Sequence, residues 1–195
     1  MDSSKVLYPL DTSLHDFATS NFGSVEDLKN LHPNSDGWSA VMVCCSEFGF
    51  QPDQNSIFEI GELYTVQNFG NIILPLSREQ VVTEITQVLR EKQLNDLIVF
   101  GHVGCKTIEH FLWRDRDHEW LQHGDRLREF MSLHYGDVNA EHRLNIAAQE
   151  NILLQLEKET LSLKHEGVNV RLHGWLSIGL GNRIMQYDVQ SGQFV

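Results

Sequence analysis

The sequence predicts an α/β fold: a mainly parallel β-sheet of about five strands with an antiparallel edge strand, flanked by helices. Short apolar runs rich in β-branched residues recur along the chain, and segments with helical spacing separate them, which is typical of parallel sheets. Only the short turn GLGN at 179–182 joins the last two runs, so the final strand is expected to be antiparallel to its neighbour. The length of 195 residues suits one domain of this kind.

The individual elements follow from these patterns in chain order. Strands are predicted at Trp38–Cys45, 62–67, 96–101, 168–176 and 183–189. Helices are predicted at 77–92, with Ser77 as the N-cap, and at 139–163, because each segment keeps its apolar residues on one face. A further helix is expected after Cys105. The polar, charge-dense segment 114–137 receives no element.

The first part of the chain has a different character. Residues 1–37 are polar and rich in turn-forming residues, which predicts an N-terminal arm preceding a domain at 38–195. A short helix is expected near Ser24, where Ser24 and Asp27 have the spacing of a capping box.

The composition excludes several classes of function. With 15 Lys and Arg against 27 Asp and Glu, the formal net charge is −12, which disfavours binding to nucleic acid or to an anionic membrane surface. No apolar run approaches the length of a membrane span, and the N-terminus does not resemble a signal peptide. Three cysteines, two of them adjacent, argue against a disulfide framework. A cytoplasmic location is therefore expected.

Residues that bind transition metals follow two of the predicted strands. The first strand ends at Cys44 and Cys45, and the third runs into the sequence GHVGC at 101–105. If these strands are neighbours, Cys45, His102 and Cys105 meet at the rim of the sheet where α/β proteins bind ligands. A Cys₂His set leaves one position of a tetrahedral zinc ion open, as in catalytic zinc sites. From the residues alone, the alternative is that these cysteines are small core residues.

Four sequence blocks, in order, resemble those of the β-class carbonic anhydrases. They are CSEFGFQP at 45–52, GELYTVQNFGN at 61–71, GHVGCK at 101–106 and HGW at 173–175. The resemblance extends from Trp38 to the C-terminus and implies a β-carbonic-anhydrase-like fold.

The resemblance also implies an activity and the residues responsible for it. It implies zinc on Cys45, His102 and Cys105, and reversible hydration of CO₂ to bicarbonate by a zinc-bound hydroxide. Glu47 occupies the position of the catalytic aspartate. The substrate pocket is expected to include Phe48, Gln67, Phe69 and Gly104. Homodimers or higher oligomers are implied, with residues 1–37 wrapping the partner.

Several positions depart from the family pattern. Glu47 replaces the aspartate, and Gly49 replaces the arginine that pairs with it, so no residue of the motif fixes the Glu47 side chain. Phe48 and Phe69 replace small residues, which predicts a tighter, more apolar pocket. Gln67 replaces an arginine of the noncatalytic bicarbonate pocket of some members, so that regulation is not expected.

These departures leave three functional hypotheses open. The chain is a carbonic anhydrase with weakened activity, a zinc-binding pseudoenzyme that acts as a scaffold or regulatory subunit, or a hydrolase of carbonyl sulfide or carbon disulfide. The fourth zinc ligand is either water or the Glu47 carboxylate. Lys106, beside Cys105, is a cation that could balance the charge of such a carboxylate.

Overall fold

A computed structural model describes residues 7–16, 19–24, 27, 31–47, 62–74, 82–113, 123–179 and 183–195. Within these residues, six strands form one sheet in the order β2-β1-β3-β4-β5-β6. The strands are β1 (Trp38–Cys45), β2 (Glu62–Asn68), β3 (Asp96–His102), β4 (Arg171–Ile178), β5 (Arg183–Asp188) and β6 (Gln193–Phe194).

The sheet is mixed, with a larger parallel part and a smaller antiparallel part. Strands β2, β1, β3 and β4 run parallel, whereas β5 is antiparallel to β4. The predicted α/β class and the antiparallel direction of β5 are confirmed. The predicted antiparallel edge is extended by one short strand, since the two residues of β6 pair with Tyr187 and Asp188 of β5.

Four α-helices with defined bounds accompany the sheet in the described part of the chain. They are α1 (Glu84–Glu91), α2 (Lys106–Trp113), α3 (Asp125–His134) and α4 (Ala140–Glu166). Helix α3 lies in the segment for which the sequence predicts no element. Its apolar stripe is narrow, since only Leu127 and Met131 are buried, and charged residues surround them.

The N-terminal boundary of α1 differs from the prediction. The helix predicted from residue 77 begins at Glu84, because the Thr83 side chain accepts a hydrogen bond from the Thr86 N–H and acts as the N-cap. Ser77 lies outside the described residues. Thr83 is anchored there because its hydroxyl also donates to the buried Glu159 carboxylate of α4, at 2.7 Å.

Helix α4 is longer than predicted at its C-terminal end. It begins after Asn139, whose side chain accepts from the His142 N–H, as the sequence indicated. It ends at Glu166 and is followed by the cap residue Gly167, whose φ of 65° is left-handed, and the Val168 N–H donates to the Leu163 carbonyl at 3.1 Å. This arrangement is a Schellman cap. The strand predicted at 168–176 would begin within this cap, at Val168. Strand β4 therefore begins only at Arg171.

The sheet separates two apolar cores. Alternate residues of β1 point to opposite faces, so Cys45 joins the larger core beneath α4, and Cys44 joins a smaller core with Met42 and Trp175. The helix approaches the sheet closely, since a Cβ at Gly101 would lie 2.9 Å from the Ile152 side chain.

The described part of the N-terminal segment lies against its own chain. The Leu10 backbone and the Gln193 side chain exchange two hydrogen bonds of 3.0 Å, and His15 Nε2 lies 2.7 Å from the Glu150 carboxylate. Ser24 and Asp27 make the predicted reciprocal hydrogen bonds. Wrapping of this segment around a partner stays a prediction. None of the helices within the described ranges combines the length and apolarity needed to cross a bilayer.

Candidate metal centre

The predicted metal-binding residues meet at one rim of the sheet. Strands β1 and β3 are parallel neighbours, so their carboxyl ends, at Cys45 and His102, lie side by side. Cys105 follows in the turn that leads into α2. The candidate ligand atoms of Cys45, Glu47, His102 and Cys105 all lie within 4.8 Å of one another.

The donor atoms fit a tetrahedral zinc ion. The Sγ atoms of Cys45 and Cys105 are 3.7 Å apart, and both cysteines are free thiols. Two thiolates at a Zn–S distance of about 2.3 Å and the tetrahedral angle would be separated by about 3.8 Å. His102 adds a nitrogen donor of the kind zinc prefers, and the three side chains together leave one tetrahedral position open.

The surroundings favour ionisation of one of the two thiols. The hydrogen bond between the two sulfur atoms is the main reason that the pKa of Cys45 is lowered. Contacts from His102 and from the backbone N–H groups of Glu47 and Gly70 act in the same direction, whereas burial opposes them. The pKa of Cys105 is raised, because it holds the shared proton beside a thiolate and is buried. A divalent cation would replace that proton.

The Glu47 carboxylate is held by the first turn of α2. The Lys106 backbone N–H donates to Oε2 at 2.7 Å, and the Thr107 hydroxyl donates to Oε1 at 2.6 Å. The sequence-based expectation concerned only the motif at 45–52, and these two donors lie outside it. The restraint comes from residues that lie far away in the sequence.

The Lys106 side chain does not balance the charge of the cluster in the way that the sequence suggests. Its Nζ atom donates to Glu109 at 2.6 Å and the side chain is largely exposed. The Glu109 carboxylate is the main cause of the raised pKa of Lys106, and Glu47 contributes least. The hydrogen bond from Lys106 to Glu47 comes from the backbone N–H.

A short segment after β2 supports Cys45 from the other side. The Gly70 N–H lies 3.4 Å from Cys45 Sγ, and Gly70 has a left-handed φ of 75°. The buried Asn151 side chain of α4 donates to the Gly70 carbonyl at 2.9 Å. Sequence reasoning does not identify these supporting residues. A polar residue within the apolar face of α4 is the one signal that points to them.

The predicted pocket residues differ in their surroundings. Gly104 has a left-handed φ of 79° and open space around it, and the exposed Gln67 hydrogen-bonds to Cys44. Phe69 is 61% exposed and does not fill the core. Phe48 lies outside the described residues. A narrower, more apolar pocket stays a prediction.

Cys44 is expected to make the protein sensitive to alkali. Burial raises the pKa of its thiol from 9.0 to about 11, although Gln67 opposes the shift. Between pH 9 and pH 11 the thiol ionises in the unfolded state but keeps its proton in the folded state. The contribution of Cys44 to stability is therefore complete below pH 9 and is lost as the pH rises towards 11. The wild type should lose about 2 kcal/mol more of its free energy of unfolding over this interval than Cys44→Ala. Urea unfolding at several pH values measures the difference, and parallel curves would contradict the prediction.

A mainly parallel sheet with two cysteines, a histidine and an acid at its rim defines the class of protein. The carbonic anhydrase family model matches residues 40–178. A carbonic anhydrase of Synechocystis sp. is 27% identical over 93% of this chain and 71% of that protein. The β-carbonic anhydrase CcaA has a solved structure that matches with a TM-score of 0.67 and 26% identity, over 87% of each chain.

The chain therefore belongs to the carbonic anhydrase family, in its β class. This confirms the resemblance seen in the sequence blocks. The fold is shared more widely: one of two tetrameric β-carbonic anhydrases from Sordaria macrospora matches with a TM-score of 0.59 and 15% identity, over 77% of this chain and 80% of that one. Family and fold support hydration of CO₂ at the general level.

Proposed function

We propose that this protein catalyses the reversible hydration of CO₂ to bicarbonate at a zinc ion held by Cys45, His102 and Cys105. The observation that carries the proposal is the convergence of these three side chains with Glu47 within 4.8 Å at the rim of a β-carbonic anhydrase fold. A bound zinc ion supplies an acidified water molecule as the nucleophile at moderate pH.

The residues of the chain have separate tasks in this scheme. Cys45 and Cys105 hold the metal as thiolates, and two thiolate charges cancel that of Zn²⁺. The water should therefore be less acidic than at a site with three histidines, and the rate should rise towards alkaline pH. Glu47 accepts a hydrogen bond from the reacting water and orients it. Both Glu47 oxygens are already held by α2, and we propose that the carboxylate stays off the metal and leaves the fourth position to water.

The rate is expected to lie below that of relatives with an aspartate–arginine pair. Backbone and hydroxyl donors fix Glu47, but they carry no charge comparable with a guanidinium. The other two hypotheses are a zinc-binding pseudoenzyme and a hydrolase of carbonyl sulfide or carbon disulfide. No contact among the described residues favours either of them, so the experiment below is designed to distinguish them.

Stopped-flow CO₂ hydration on protein of known zinc content tests the proposal. We expect about one zinc per chain and a rate that increases in proportion to the bound zinc. Glu47→Gln should retain zinc and lose about 10–1,000-fold in kcat/KM, since a positioned acceptor for the water is removed. A fully zinc-loaded wild type that hydrates CO₂ no faster than buffer would contradict the proposal. Release of sulfide from carbonyl sulfide would then identify the hydrolase, and its absence the pseudoenzyme.

We also propose that the protein self-associates in the cytoplasm, as a homodimer or a larger assembly. The existence of tetrameric β-carbonic anhydrases of the same fold supports this proposal. Light scattering during size-exclusion chromatography measures the mass, and a mass of 22.4 kDa at micromolar concentration would contradict it.

A further inference from the structure

Two hydrogen bonds from α2 hold Glu47 in place. Position 49 is a glycine and offers no side-chain donor. Each oxygen of the carboxylate instead accepts one hydrogen bond from α2, Oε2 from the Lys106 N–H and Oε1 from the Thr107 hydroxyl. Two donors on two different oxygens fix both the position and the plane of the carboxylate. Because each oxygen has two lone pairs, one remains for the reacting water.

Of these two donors, only the Thr107 hydroxyl belongs to a side chain. The Lys106 ammonium points to Glu109, so Lys106 acts on Glu47 through a backbone N–H that substitution by another non-proline residue retains. The geometry of Glu47 therefore depends on the identity of residue 107 and not on that of residue 106.

Thr107 is itself rigidly held. It is 1% exposed, and its branched Cβ restricts rotation about χ1. Its methyl group faces Gly70, where a Cβ would lie 3.1 Å from Thr107 Cγ2. The methyl group therefore packs against the residue whose N–H supports Cys45, and the hydroxyl is directed at Glu47. Thr107 links the two sides of the metal centre.

We propose that Thr107 is the positioning residue for Glu47, and that it replaces the arginine which position 49 lacks. The proposal rests on the proposed function, because Glu47 needs a fixed geometry only if it orients a reacting water. Such sites require positioning within about 0.5 Å, which one flexible glutamate does not achieve alone. Thr107 does not contact the reacting atoms and acts only through Glu47.

Isosteric variants separate the hydroxyl from the shape of the side chain. Thr107→Val removes the hydroxyl and keeps the branching, whereas Thr107→Ser keeps the hydroxyl. Thr160→Val is the matched control, since Thr160 is also 1% exposed and its hydroxyl donates to a backbone carbonyl of α4. Thr107→Ala replaces Thr107→Val if the valine variant does not fold.

The kinetic test compares these variants at full zinc occupancy. Thr107→Val is expected to lower kcat by about 10–100-fold with KM within about twofold, as misplacement of a catalytic group does. Thr107→Ser should remain within about threefold of the wild type, and Thr160→Val should have the wild-type kcat. In a Glu47→Gln background, Thr107→Val should have little further effect, because its target is already altered. A wild-type kcat in Thr107→Val, or an equal loss in both backgrounds, would overturn the proposal.

A second measurement does not depend on turnover. Cobalt(II) replaces zinc, and the visible spectrum reports the ligand environment of the metal. Release of Glu47 in Thr107→Val should change the band positions or intensities, whereas Thr107→Ser and Glu47→Gln/Thr107→Val should not show that change. Identical spectra for Thr107→Val and the wild type would overturn the role of Thr107 even if CO₂ hydration is observed. A changed spectrum in a protein that hydrates no CO₂ would support that role while the proposed function fails.

Discussion

Replacement of Cys105 by alanine is expected to remove the bound metal and, with it, the activity. The thiol lies 3.7 Å from Cys45 Sγ, the separation that two zinc-bound thiolates require. Without the Cys105 thiol, only Cys45 and His102 remain as protein ligands of the three. Metal analysis should fall from about one zinc per chain to nearly none, and CO₂ hydration should fall to the buffer rate.

Thermal unfolding provides an independent measure of the same loss. A ligand present at about 1,000 times its Kd stabilises the folded state by about 4 kcal/mol, so chelation should lower the Tm of the wild type strongly. Chelation should leave the Tm of Cys105→Ala unchanged. Cys44→Ala is the matched control, because Cys44 is equally buried but lies in the core on the opposite face, and it should retain zinc. Full zinc occupancy in Cys105→Ala would contradict the assignment.

Substitution of Gly70 by alanine is expected to destabilise both the fold and the metal centre. A Cβ there would lie 2.8 Å from the Phe111 ring and 3.1 Å from Thr107 Cγ2, and the φ of 75° is itself unfavourable for alanine. The left-handed conformation costs about 1–2 kcal/mol, and overpacking adds about 1–3 kcal/mol. We therefore expect a loss of about 2–5 kcal/mol in the free energy of unfolding. Zinc affinity should also fall, since the Gly70 N–H supports Cys45.

A second glycine separates backbone strain from the steric clash. Gly167, at the end of α4, has a similar φ of 65°, but a Cβ added there would meet nothing within 4 Å. Gly167→Ala should lose only about 1–2 kcal/mol and keep its zinc affinity. Urea unfolding and competitive zinc titration measure both effects. Equal losses in the two variants would show that packing against Phe111 and Thr107 is unimportant.

The bounds of β1 and β3 are predictable from the sequence because nearly every residue of these two strands is buried. Strand β1 matches its predicted bounds, and β3 differs from its prediction by one residue at the end. Helix α3 was missed because its buried residues, Leu127 and Met131, form too narrow a stripe to stand out. The start of α1 was misplaced because the Thr83 cap depends on a contact with Glu159, which is distant in the sequence.

The candidate ligands were predictable for a related reason. Cys45 and His102 end parallel strands, and topology alone brings such positions to one rim. The support of Glu47 was not predictable in this way. Thr107 is 60 positions away from Glu47 and has the appearance of an ordinary helical residue. Its role emerges only when the loop after β1 and the first turn of α2 are placed side by side.

A crystal structure of the zinc-loaded protein at neutral pH tests most directly how the metal centre is built. We predict zinc bonded to Cys45 and Cys105 at about 2.3 Å and to His102 at about 2.0–2.1 Å, with a water as the fourth ligand. The Glu47 carboxylate should remain hydrogen-bonded to Thr107 and beyond bonding distance of the metal. A Glu47 oxygen at about 2.0–2.2 Å from zinc, with the Thr107 hydrogen bond broken, would contradict this arrangement.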